Sequence, residues 1–113
     1  MNPDPATSRL RITVGPPGLV LAGELDRMEH VRLLDAVTSV ARSDPGGEIG
    51  IDATEVTFID SGGIRALLIC RDEAVQAGSR LSIVAAGPVV RHVLEVTGLR
   101  EVLGPPTTRQ ASV

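Results

Sequence analysis

Nine residues, Val56-Thr57-Phe58-Ile59-Asp60-Ser61-Gly62-Gly63-Ile64, constrain this chain more than any other stretch. A short β-prone apolar run ends in Asp-Ser-Gly-Gly, and a segment of helical character begins at once. Ser61 therefore stands at the mouth of a helix, where free backbone N–H groups and the positive end of the helix dipole gather. A hydroxyl held there can carry a phosphate without unfolding the helix beneath it.

The remaining elements alternate around that junction. Leu10, Ile12 and Val14 interleave with Arg9, Arg11 and Thr13 at the period of a strand with one solvated face. Gly15-Pro16-Pro17-Gly18 is a turn, and Leu19-Val20-Leu21-Ala22 returns as a second strand, so an opening hairpin is predicted. Gly23-Glu24-Leu25-Asp26 closes that strand, and Asp26 followed by Glu29 has the spacing of a capping box. Met28, Val31, Leu34, Val37 (with Leu33) and Val40-Ala41 keep helical spacing to about Arg42. After the break at Asp44-Pro45-Gly46-Gly47, Glu48-Ile49-Gly50-Ile51-Asp52 reads as a strand weakened by its central glycine.

A helix is predicted over 62–77, stopped by Gly78. Its packed side holds Ile64, Leu67, Leu68, Ala74 and Val75, with Arg71 intruding on the stripe. The opposite side, shared with Ser61 and Gly62, carries Arg65, Asp72, Glu73 and Gln76 together with Ile69, an apolar residue placed there as a partner contact. Leu81 to Ala85 forms a further strand, Gly87-Pro88 opens a helix that runs to Gly98, and Leu99 to Leu103 makes a last short one. Phe58 is assigned to core filling. Residues 1–8 and 105–113 are expected to be flexible ends around one domain over 9–104. The order implies an α/β fold, with a mixed, largely parallel sheet, right-handed crossovers and about four helices.

Composition removes several function classes. The chain has 113 residues, enough for one domain with a core and too few for two. A single aromatic residue leaves no base-stacking platform, and a net charge of −3 without a basic block gives no nucleic-acid footprint. One cysteine excludes an intrachain disulfide, and Cys70 reads as a small buried hydrophobe. No apolar run approaches membrane-spanning length and the start lacks a signal layout, so a soluble cytoplasmic protein without membrane partners is expected.

No glycine-rich phosphate loop and no spaced His and carboxylate ligands occur, and no cofactor or metal is expected. His30 and His92 read as surface or half-buried residues. Asp60-Ser61-Gly62-Gly63 also matches the surroundings of the trypsin-like nucleophile. Ile59 stands where those enzymes need a glycine, however, and a short alternating α/β chain cannot form their two-barrel fold. An enzyme using Ser61 as nucleophile lacks a visible base.

The ordered set Gly23-Glu24-Leu25-Asp26, Ile51-Asp52-Ala53, Val56-Thr57-Phe58-Ile59-Asp60-Ser61-Gly62-Gly63-Ile64, Leu81-x-Ile83-Val84 and Val90-Arg91-x-Val93-Leu94-Glu95-Val96-Thr97-Gly98-Leu99 resembles STAS domains. Specifically it looks like the bacterial anti-sigma factor antagonists, over roughly residues 9 to 104. That resemblance implies partner exchange. An unphosphorylated antagonist binds an anti-sigma factor that is also a serine kinase, and so frees a sigma factor. The kinase phosphorylates the antagonist and the pair separates, and a phosphatase acting on the phosphoserine resets it.

Carried over by position, the acceptor is Ser61, with Asp60 beside it and Asp26 corresponding to a family aspartate near that serine. The partner surface implied is Glu24, Asp26, Asp60, Ser61, Gly62, Gly63, Arg65 and Ile69. Gly62 departs from the second Ser or Thr of many members, and Gly50 from a branched apolar residue. Two readings compete with the switch. Ser61 could serve only as a helix N-cap, or the domain could be a STAS scaffold or ligand sensor whose Ser61 is never modified.

Overall fold

The computed structural model describes residues 9–104, so the flexible ends expected at 1–8 and 105–113 lie outside the described residues. Strand β1 (Leu10–Gly15) and β2 (Gly18–Leu25) form the expected antiparallel hairpin, pairing from Leu10 with Gly23 to Gly15 with Gly18. A single 3-10 turn (Arg27–Glu29) leads into helix α1 (His30–Ser43). Strand β3 (Glu48–Ile59), helix α2 (Ser61–Gln76), strand β4 (Arg80–Ala86), helix α3 (Pro88–Thr97) and helix α4 (Arg100–Leu103) follow. The four-stranded sheet has the order β1-β2-β3-β4, with β3 parallel to both β2 and β4.

The two strand segments read separately at 48–52 and 56–59 are one continuous β3. Its alternation is hidden by two bulges. Against β2 the register moves from Val20/Asp52 to Ala22/Glu55 and again from Gly23/Val56 to Glu24/Phe58, so β3 spends an extra residue at each step. At the first bulge the Thr54 N–H donates to Asp52 Oδ1 at 3.0 Å. The Thr54 hydroxyl and N–H together hold the Asp52 carboxyl below its ordinary value. At the second, Phe58 is carried out of phase with buried Val56 and lies 45% exposed, which corrects its assignment to the core.

Helix α1 lies against β1 and β2, α2 lies against β3 and β4, and the two helices pack on each other. Leu19, Leu21, Leu33, Ile51 and Leu67 are among the residues sealed between these layers. Helix α1 buries Leu33, Val37 and Ala41, whereas Met28 and Val31 are 72% and 64% exposed. The expected stripe is displaced because Met28 belongs to the 3-10 turn, which does not continue the helical period of α1.

Helix α2 is likewise rotated from expectation. It buries Gly63, Ala66, Leu67, Cys70 and Ala74, while Val75 is 51% exposed. The small residues win this face because they allow the helix to approach the strands closely. Burial at Cys70 pushes its thiol up to about 12, with a smaller contribution from Glu73. Arg71 is half-buried and meets Asp72 at 3.4 Å, in a groove of about 220 Å³ that also holds Glu48, Arg80 and Glu101. Gly78 has φ +85° and ends α2 as its position required.

Candidate functional site

Strand β3 hands over to α2 through one residue. Asp60 is extended, and its Oδ1 accepts from the Gly63 N–H at 2.9 Å while its carbonyl accepts from Ile64 N–H at 2.9 Å. Asp60 is thus the N-cap, and Ser61 is the first residue of the helix. Freed from capping, Ser61 is exposed, and among the described residues its hydroxyl has no hydrogen-bond partner.

The end of β2 wraps the same corner. Asp26 is extended and its Oδ1 accepts from Met28 N–H at 2.9 Å, with its carbonyl taking Glu29 N–H at 3.1 Å. The aspartate of the expected capping box therefore caps the 3-10 turn, while the Glu29 carboxylate pairs with Arg32. Glycines make the close packing of the two corners possible. A Cβ on Gly62 would lie 2.6 Å from Arg27 Cβ and 3.0 Å from Arg27 N, and one on Gly63 would lie 2.2 Å from the Leu25 carbonyl oxygen. The departure at Gly62 is thereby explained, since a side chain there would displace Arg27.

Glu24, Asp26, Asp60, Ser61, Gly62 and Gly63 consequently gather at one end of the molecule, where β2 and β3 both finish. Glu24 sits opposite Phe58 in the sheet and pairs with Arg9 at 3.1 Å. Arg65 is exposed one turn beyond Ser61, whereas Ile69, a further turn on, is half-buried rather than free on the surface. Sequence reasoning passed over Arg27, exposed Met28 and Phe58 at this corner. Met28, two residues beyond Asp26, could have been found from that adjacency, while Arg27 depends on the approach of two corners distant in sequence and Phe58 on a bulge that no residue pattern announced.

The site is a surface, and its residues line neither of the two cavities described. One, about 370 Å³, opens between α1 and α2 over Val37, Ala41, Ala74 and Ala77. The other is the groove at Arg71. The Ser61 hydroxyl is exposed at this corner, beside the Asp60 carboxylate that caps α2. Among the described residues, no helix is long and apolar enough to cross a membrane.

Comparison with known proteins agrees with this architecture. The crystal structure of an anti-sigma factor antagonist from Mycobacterium paratuberculosis is similar in fold, with a TM-score of 0.61 and 24% sequence identity, over 93% of this chain and 92% of that one. The family model described as "Mlab, STAS domain" matches residues 8–105. That match spans nearly the whole chain, and the chain belongs to the STAS-domain family.

Proposed function

We propose that this protein is an anti-sigma factor antagonist that acts by binding and is switched off by phosphorylation of Ser61. The observation that carries the proposal is the exposed Ser61 hydroxyl at the first position of α2, relieved of capping by Asp60. In the unphosphorylated form the corner formed by Asp26, Asp60, Ser61 and Gly62, with Arg65 beside it, docks on an anti-sigma factor with serine kinase activity and frees its sigma factor. Phosphate adds about −1.5 to −2 charge there. A partner surface shaped for a neutral hydroxyl then meets a dianion, and like-charge juxtaposition of several kcal/mol lowers affinity on the order of a hundredfold. A phosphatase restores binding.

The fold likeness to an antagonist supports this role. A STAS scaffold or ligand sensor with an unmodified serine is the competing reading, and it shares the same fold. Intact mass after incubation with serine kinases of the anti-sigma type and ATP separates the two. A gain of one phosphate that disappears in Ser61→Ala supports the antagonist, and no gain with any such kinase supports the scaffold.

A further inference from the structure

We propose that Arg27 and Arg65 form a two-armed clamp that receives the phosphoryl group on Ser61, an inference that rests on the reading of Ser61 as a phosphorylated residue. The arms approach from different elements. Arg65 stands four residues beyond Ser61 on α2, a spacing that puts their Cβ atoms about 5–6 Å apart. Arg27 enters from the turn after β2, with its Cβ so close to Gly62 that a methyl group there would sit 2.6 Å away. Ser61 thus has Arg65 one turn along its own helix and Arg27 packed against its neighbour Gly62, and both side chains are long enough to reach a phosphate on its oxygen.

The charges at this corner leave those two arms available. Asp60 is committed to the Gly63 N–H and Asp26 to the Met28 N–H. Glu24 pairs with Arg9, Glu29 pairs with Arg32, and His30 is half-buried at the head of α1. Arg27 and Arg65 are exposed, and among the described residues neither makes an ion pair or a side-chain hydrogen bond. Guanidinium groups match phosphate oxygens in planar geometry and charge, so a phosphoseryl dianion is their natural partner.

The clamp changes how the switch works. Unphosphorylated, the corner offers two free cations to a docking protein. Phosphorylated, it turns both inward, so the partner loses its cationic contacts in addition to meeting new negative charge. The phosphate is meanwhile held in one place against the repulsion of Asp26 and Asp60.

The full chain with phosphoserine installed at position 61 during synthesis, titrated by phosphorus-31 NMR, tests the clamp without any kinase. Removing a nearby cation raises the midpoint of the second phosphate ionisation, ordinarily about pH 6. Arg42→Gln, near the far end of α1, sets the background for loss of a remote charge. Arg27→Gln and Arg65→Gln are each expected to raise the midpoint by at least about 0.3 pH unit beyond that background, and the double substitution by more. A single variant that titrates with the background overturns the two-armed clamp. That failure would leave the antagonist reading standing, and failure to find a kinase would leave the titration readable.

Discussion

At the start of α2 the cap is Asp60 and the exposed hydroxyl belongs to its neighbour Ser61, and the division can be measured. Ser61→Ala leaves the Asp60 bond to Gly63 N–H intact and is expected to change the unfolding free energy by less than about 0.5 kcal/mol in urea. Asp60→Ala should cost about 1 kcal/mol. Equal losses would mean that Ser61 carries the cap after all. Gly63→Ala is expected to cost about 1–3 kcal/mol in the same assay, because its Cβ would fall 2.2 Å from a backbone oxygen that no rotamer change can move. At this scale the aspartates, the serine and the glycines were legible from their order in the chain. Arg27 was not, since its value comes from the approach of two distant corners and leaves no local pattern.

Elements show where periodicity stops being a guide. The β1–β2 hairpin, the proline at the start of α3 and the glycine after α2 were all readable, because turn chemistry acts through neighbouring residues. The exposed Phe58 and the rotated faces of α1 and α2 were not. A bulge resets the period of a strand, a 3-10 turn resets that of a helix, and a face of small residues packs tightly while scoring low in hydrophobicity. Gly50 shows the same limit. It reads as a weak point in β3, yet it lies under the β1–β2 turn, donating its N–H to the Pro17 carbonyl at 3.1 Å. A Cβ there would meet Pro17 Cβ at 2.9 Å and Val84 Cγ2 at 3.2 Å. Gly50→Val, which places a branched apolar residue in the strand, should therefore lower stability by about 1–3 kcal/mol in urea unfolding. A rise in stability would show that strand propensity outweighs this contact.

The molecule as a whole is an α/β platform with Ser61 exposed at one corner, and its composition permits a clean test of the packing. The chain contains no lysine and no tyrosine, so Cys70 is its only side chain that titrates between about pH 9 and 12. Buried, its thiol is pushed up to about 12, from 9.0 when unfolded. Below pH 9 both states hold the proton. Above it the unfolded chain releases the proton first, so stability falls as pH rises towards 12, with a limiting slope of about 1.4 kcal/mol per pH unit. Urea midpoints from pH 8 to 11 should decline in this way, and Cys70→Ala should flatten the decline; an unchanged slope would place the thiol outside the core.

The partner-switch reading depends on whether charge on one side chain governs docking while the platform stays folded. The most direct test is calorimetric titration of the unmodified chain, and of the chain with phosphoserine installed at position 61, into the serine kinase that modifies it, with circular dichroism of both forms. Affinity lower by about a hundredfold for the phosphorylated form, with matching spectra, is the expected result. Equal affinities of the two folded forms would contradict it.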